Sequence, residues 1–275
     1  MKIGLKTRFS DFSEIIKLKP DFVEFHFSDI DPDFNFVAKE KYSFPCFIHL
    51  PEIWHGHLID IASIKNENQI LPLNESIEVL QKIITKSEKF FEFFNNKENI
   101  FILHPGGMSF EKDYPENNKH RIETLAESLS QIKTNNSEIL VENLPPYPWY
   151  LGGQWNSNIF MDAKEIEKFC HLTDRKICFD TSHSKLYCNS VKKDFFEELN
   201  IIKKYIKHIH VGDAKGVDGE GIQIDEGEID FKIFFDLIKD YHGTIVNEIW
   251  MGYSNQFSGF KIANQKIKKY LSQNS

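Results

Sequence analysis

Short apolar runs rich in β-branched and aromatic residues recur along this chain, separated by longer stretches in which apolar residues return every three or four positions. The runs fall at 2–5, 22–27, 46–50, 100–104, 139–143, 177–180, 208–211 and 245–249. Most are followed by a segment of helical period: SIEVLQKIITKSEKFFEFF (76–94), HRIETLAESLSQI (120–132), DAKEIEKFC (162–170), KKDFFEELNIIKKY (192–205) and FKIFFDLIKDY (231–241). Continuous apolar strands alternating with amphipathic helices predict a parallel sheet covered by helices. Eight such units closing on themselves make a (β/α)8 barrel, for which about 250 residues is typical. The rival, an open doubly wound sheet, loses its main support because no G-x-G-x-x-G turn follows KIGLK. No Pro/Gly/Ser linker, low-complexity tract or short-period repeat divides the 275 residues. The expectation is therefore an α/β fold, a single TIM-barrel domain over 1–275.

The predicted strands end in polar residues of a narrow kind. The third ends FIHLPE with His49, the fourth ILHPGG with His104, and the fifth LVENLPP with Glu142. The sixth ends CFDTSH with Asp180 and His183, the seventh HIHVGD with His210 and Asp213, and the eighth VNEIW with Glu248. Strand alternation puts Ile102 with His104, Leu140 with Glu142, Cys178 with Asp180 and Val246 with Glu248 on one face, which points inward in a barrel. Sites of such barrels are built at the C-terminal rim, so these ends converge on one pocket. Burying several carboxylates without a cation costs several kcal/mol each, roughly. Convergence therefore predicts a divalent metal: the mixed N/O set suits Zn²⁺ or Mn²⁺, and the carboxylates also suit Mg²⁺. His208 faces the same way one layer deeper and reads as a satisfied core histidine; Glu24 lies beneath the rim and His26 near it. His55 and His57 follow the third strand in a loop.

Composition narrows the partners. Apolar residues make up 41% and charged ones 27%, ordinary globular values, and 33 Lys+Arg against 41 Asp+Glu leave a net charge of −8. That sign disfavours nucleic acid, which needs many cations on its phosphates. No run approaches the ~18 apolar residues that cross a bilayer, and MKIGLKTRFSDFSE has no secretory pattern. Cys46, Cys170, Cys178 and Cys188 show no C-x-x-C spacing, which predicts reduced thiols and a cytoplasmic location. The oligomeric state is left open, a homo-oligomer included.

The words ILHPGG, VEN, CFDTSH, IHVGDAKG, EGEID and NE, in this order from about His49 to Glu248, resemble the xylose isomerase-like barrel superfamily. That group includes AP endonuclease family 2 (endonuclease IV), the ketose 3-epimerases and related sugar isomerases. The resemblance implies a four-ligand metal set of Glu142, Asp180, His210 and Glu248. It makes His183 a substrate contact in the epimerases but a metal ligand in the nuclease. His49 and His104 resemble further zinc ligands of the nuclease, Asp218 fits another, and Glu220 stands where that branch has a histidine. Two departures matter. The loop where the nuclease reads DNA is FSDIDPDFNF here, with Asp29, Asp31 and Asp33, which would repel a phosphate backbone. The substrate-binding arginine of the epimerases is missing, Lys215 and Gly216 standing in its place.

The first expectation is thus a metal-dependent sugar (or sugar-derivative) isomerase or epimerase, acting on a small-molecule sugar or sugar phosphate by proton transfer next to a carbonyl. By the resemblance, Glu142 and Glu248 remove and return the proton; His183 and Lys215 would hold substrate oxygens, and Trp54, Trp155 or Trp250 either cover the sugar face or pack in the core or rim. The alternative is a zinc phosphodiesterase of the AP endonuclease type using His49, His104, His183, Asp218 and Glu220 as additional ligands. A third possibility is a non-catalytic binding protein that kept the barrel.

Overall fold

Strands β1 (Lys2–Thr7), β2 (Val23–His26), β3 (Cys46–His49), β4 (Asn99–Leu103), β5 (Ser137–Glu142), β6 (Ile177–Asp180), β7 (Ile206–Val211) and β8 (Thr244–Asn247) close into a barrel in the order β1-β8-β7-β6-β5-β4-β3-β2. Every pair is parallel. This computed structural model describes residues 1–28, 31, 41–65, 67–148 and 155–273. The described helices are α1 (Phe12–Ile15), α2 (Leu73–Phe91), α3 (Pro115–Gln131), α4 (Ala163–Thr173), α5 (Thr181–Val191), α6 (Phe195–Ile202), α7 (Phe231–Leu237) and α8 (Ser254–Gln273). The architecture is the predicted (β/α)8 TIM barrel, and each of its strands overlaps one of the apolar runs.

Two of its hydrophobic clusters hold the barrel itself together. The larger lies between sheet and helices, where α2 buries Ile77, Leu80, Ile83, Ile84, Phe90 and Phe91 on one stripe. The smaller fills the lower barrel interior with Phe22, Phe47, Ile100, Ile102, Leu140, Cys178 and Val246. Burial of each such side chain stabilises the fold by roughly 1.5–3 kcal/mol. Gly4 on β1 is part of this packing, since a Cβ there would lie 2.4 Å from the Phe22 ring.

The helices differ from expectation mainly at their ends. Pro72 precedes α2 and sets its start before Ser76. Helix α5 has no counterpart among the predicted segments, because TSHSKLYCNSV is poor in apolar residues; it begins directly at the end of β6, capped by Asp180. Helix α8, also outside the predicted segments, opens with a left-handed turn at Asn255, Gln256 and Phe257 (φ 49°, 58° and 63°). Short hairpins decorate the rim, among them Ile53–Trp54 with His57–Leu58 and Asp213–Lys215 with Gly219–Ile222. No described helix is long and apolar enough to cross a membrane, and all four cysteines are free and buried. In the acidic loop, Asp29 and Asp33 lie outside the described residues, whereas Asp31 accepts from Ser28 N–H and Oγ–H, each at 2.7 Å.

Candidate functional site

The strand registers bring the polar ends together. Asp180 pairs with His210 across β6 and β7, Cys178 with Glu142 across β6 and β5, and His26 with His49 across β2 and β3. Two residues above the apolar filling, the barrel interior therefore turns polar within one layer. One ligand atom from each of Glu142, Asp180, His210 and Glu248 lies within 4.8 Å of the others. These are the four residues that the resemblance selects as a metal set.

Glu142 is the hub. Its Oε1 lies 3.1 Å from His210 Nδ1 and 3.6 Å from His183 Nδ1, while its Oε2 lies 3.2 Å from His49 Nε2 and 3.4 Å from His104 Nε2. Burial alone would raise its pKa, but the His210 and His104 imidazoles hold it well below the usual carboxylate range. His210 responds in the opposite direction: burial opposes its charge, yet Cys178 and the carboxylates of Glu142, Glu24 and Glu248 raise its pKa well above the usual value.

Asp180 does two jobs with two oxygens. Its Oδ1 accepts from the His183 N–H at 2.6 Å as the N-cap of α5, whereas its buried Oδ2 has no hydrogen-bond partner among the described residues. Asn143 clamps the same backbone, donating from Nδ2 to Asp180 O (3.0 Å) and accepting the Asp180 N–H on Oδ1 (2.7 Å). Burial, with the adjacent Glu248 and Glu142 carboxylates, pushes Asp180 up to about 7 despite His183 nearby. An orphaned buried carboxylate oxygen among other carboxylates and an imidazole is the donor set of a divalent cation. The residues present fit such an ion.

The first turn of α5 also places His183, whose Nδ1 donates to the Asn143 carbonyl at 2.8 Å. Its Nε2 faces Glu220 Oε1 at 3.2 Å, and Glu220 Oε2 is buried without a hydrogen-bond partner among the described residues. Burial opposes the His183 charge, but Asp180 and Glu220 raise its pKa well above the usual value. Ser182 Oγ accepts the Gly221 N–H (2.9 Å) and so ties this turn to the hairpin that carries Glu220. Asp213, a strand-end acid in the sequence, has an architectural role: it accepts from the N–H groups of Ala214, Gly227 and Ile229, at 2.8, 2.8 and 3.0 Å.

A cavity of about 220 Å³ opens above this layer, lined on its polar side by Lys6, His26, Glu52, His104, His183, Glu220 and Glu248. Arg8, Asp11, Trp250, Met251, Tyr253 and Phe257 form part of its outer wall. Several expected contacts lie elsewhere. Lys215 and Asp218 occupy the exposed tip of the Asp213–Ile222 hairpin and do not line the cavity. Trp155 is 6% exposed and stacks on Phe110 with centroids 4.1 Å apart, and Trp54 faces a separate small pocket with Phe27 and Pro51.

Three residues matter more than the sequence suggests. Lys6 is buried, pairs with Glu248 Oε1, and lies 3.9 Å from Glu24 Oε1. Burial opposes its charge, but the Glu248 and Glu24 carboxylates raise its pKa further above the usual lysine value. Glu24 is fully buried between His208 and His210. Glu52 sits among three imidazoles, 3.4 Å from His26 Nε2, 3.8 Å from His49 Nδ1 and 3.7 Å from His104 Nδ1. The signals in the sequence that could have found them are the in-phase spacing of Gly4 and Lys6 on β1 and of His49 and Glu52 across a turn.

Comparison with known proteins gives the frame for this cluster. The uncharacterized protein MJ1614 of Methanocaldococcus jannaschii is 24% identical over 249 residues, covering 85% of this chain and 86% of that one. Among solved structures, an L-ribulose 3-epimerase superposes with a TM-score of 0.67 at 16% identity, covering 99% of this chain and 95% of that chain. Endonuclease IV from Thermus thermophilus superposes at 0.61 with 14% identity, covering 98% of this chain and 100% of that chain. At these identities the superpositions establish the fold. The family model described as xylose isomerase-like TIM barrel matches residues 80–270, more than half of the chain, and the protein belongs to that family.

Proposed function

We propose that this barrel is a divalent-metal-dependent isomerase or epimerase of a sugar or sugar derivative, moving a proton next to a carbonyl. The observation that carries the reading is the set Glu142, Asp180, His210 and Glu248, with donor atoms within 4.8 Å of one another and Asp180 Oδ2 buried and unpartnered among the described residues. These four residues would hold the ion, which when bound supplies polarisation of the substrate carbonyl and so acidifies the neighbouring C–H. Glu248, which lines the cavity, would take and return the proton. Glu142, its expected partner on the other side of the substrate, is enclosed by imidazoles and serves first as a ligand. His183 and Glu220, facing one another across 3.2 Å on the cavity wall, offer a donor and an acceptor to substrate hydroxyls. Lys215 would contribute only if its hairpin folded over the mouth.

The test is elemental analysis of the purified protein followed by incubation of the Mn²⁺-loaded form with ketopentoses and ketohexoses in D₂O. The expected result is about one metal per chain and deuterium incorporation next to the carbonyl of at least one sugar. No incorporation across the panel overturns the reading.

One observation favours a second, hydrolytic reading with more than one ion. His49 Nδ1 donates to the Leu50 carbonyl at 2.9 Å, which leaves its Nε2 directed at Glu142 Oε2. Burial and the Lys6 charge lower the His49 pKa and favour the neutral ring. A nitrogen lone pair against a carboxylate oxygen calls for a cation between them. Two or three metals per chain, together with cleavage of an abasic duplex, would establish this alternative.

A further inference from the structure

Beneath the proposed metal set runs a buried chain of polar groups that no part of the proposed chemistry uses. Thr244 Oγ1 lies 2.7 Å from His208 Nδ1, and His208 Nε2 lies 2.8 Å from Glu24 Oε2. His210 Nε2 is 3.1 Å from both Glu24 oxygens. Lys6 lies against Glu24 on one side and grips Glu248 Oε1 on the other. Glu24, His208 and His210 are 0% exposed.

The donor inventory fixes the direction of each bond. A carboxylate only accepts, so both His208 Nε2 and His210 Nε2 donate to Glu24. The remaining nitrogen of His208 accepts the Thr244 hydroxyl proton. The remaining nitrogen of His210, Nδ1, is then the one that turns to the cluster, 3.1 Å from Glu142 Oε1 and 2.8 Å from Glu248 Oε2. Lys6 similarly occupies one oxygen of Glu248 and leaves Oε2 facing inward. Asp180 follows the same rule from above, its Oδ1 tied to the α5 N-terminus and its Oδ2 free. In three ligands, one atom is anchored by the protein and the other is presented.

Resting on the metal-site reading above, we propose that Lys6, Glu24 and His208 form a positioning cradle that selects His210 Nδ1 and Glu248 Oε2 as the metal-binding atoms. Glu24 fixes the tautomer and ring orientation of His210, the role carboxylates play behind metal-binding histidines. His208, itself held by Thr244, fixes Glu24. Lys6 offsets the Glu24 charge, so this support adds no net negative charge beneath the ion, and it directs Glu248 to bind through Oε2, which leaves Oε1, beside Lys6 on the cavity wall, as the atom for proton transfer. The three residues come from β1, β2 and β7, which ties the ligand geometry to the closure of the barrel rather than to any loop.

The test uses the intact protein and Zn²⁺ alone. Long-range ¹H–¹⁵N spectra of the Zn²⁺-loaded parent should show His210 protonated at Nε2 and bound to metal through Nδ1. By chelator competition, Glu24→Gln should bind Zn²⁺ about 10–100-fold more weakly, with Glu24→Asp recovering part of the loss. Binding through Nε2, or a folded Glu24→Gln protein as tight as the parent, overturns the cradle while leaving the metal site standing. If Glu24→Gln does not fold, the parent spectrum alone decides. A parent that binds no Zn²⁺ overturns both the cradle and the metal-site reading beneath it.

Discussion

The barrel interior contains two layers, made by the same strands two residues apart, with opposite physics. In the lower one Ile102, Leu140, Cys178 and Val246 meet Phe22, Phe47 and Ile100, with His208 the polar exception, its ring edge-on to both phenylalanines. In the upper one His104, Glu142, Asp180 and Glu248 follow on the same faces, joined by His49 and His210. The lower layer stabilises the fold. The upper layer buries carboxylates and imidazoles whose desolvation is offset by one another, by Lys6 and Glu24, and by a few backbone groups, and it leaves Asp180 Oδ2 unmatched among the described residues. A chain selected for stability alone would have continued the apolar filling to the rim.

The sharpest way to break this contrast is a substitution in the upper layer that preserves shape. Glu248→Gln removes the carboxylate that faces the cavity, and turnover on a confirmed substrate should fall about 10²–10⁴-fold, as loss of a proton-transfer group does. Steady-state kinetics alongside a thermal melt checks this. Full turnover in a folded Glu248→Gln protein would falsify its assignment as the proton-transfer group.

The converse substitution lies two residues below the hub. Leu140→Ala should cost about 2–5 kcal/mol in a denaturant titration, because it opens a hole in a fully buried cluster. Metal affinity of the folded fraction should stay within a few-fold of the parent. If affinity collapsed with stability, the two layers would be one cooperative unit and the division between them would not hold.

The legibility of the sequence follows the same division. Period-two alternation is local, so the inward pairs 102/104, 140/142, 178/180 and 246/248 are readable from the strands themselves, and with them three of the four proposed ligands; His210 is readable as the end of its own strand. Partnership is not local. Glu24 and His208 lie 184 residues apart, and nothing near either one announces the other. In the sequence Lys6 is the polar end of the first strand; only barrel closure beside Glu248, 242 residues later, gives it a buried role. Helix α5 is hidden because its start is encoded by a cap at Asp180 rather than by an apolar stripe, and the same aspartate also reads as a ligand. Motif position is a poor guide in loops: Asp218 fits a family ligand position and Lys215 stands where the epimerases have an arginine, yet their hairpin carries both to solvent.

A half-buried acid outside the barrel shows that a carboxylate with a raised pKa does not by itself make a site. Glu165, on α4, accepts the Phe160 N–H, and burial pushes its pKa up to about 7. A carboxyl with a raised folded pKa binds more protons folded than unfolded between about 4.5 and 7. Stability therefore falls as pH rises through that window, and the full cost is present above it. Glu165→Gln keeps an accepting oxygen without the charge. It should raise stability at pH 8 by on the order of 2 kcal/mol and leave it nearly unchanged at about pH 4. Melts at the two pH values with equal shifts would show that the effect is packing and not ionisation.

The smallest expected effect discriminates most finely between rim and site. Lys215 and Asp218 are exposed and stand outside the cavity lining. Exposed substitutions away from caps and networks usually fall within about 0.5 kcal/mol. Lys215→Ala and Asp218→Ala should therefore leave the melting temperature and Mn²⁺ affinity at parental values, because neither side chain reaches the buried cluster. Their effect on substrate is the informative part. If KM for a confirmed sugar rises several-fold in Lys215→Ala while kcat and metal affinity hold, the hairpin closes over the cavity when substrate binds and the substrate contact expected of Lys215 is restored. If KM also holds, recognition belongs to the walls that already face the cavity: His183, Glu220 and Glu52 on the polar side, Trp250 and Tyr253 on the other.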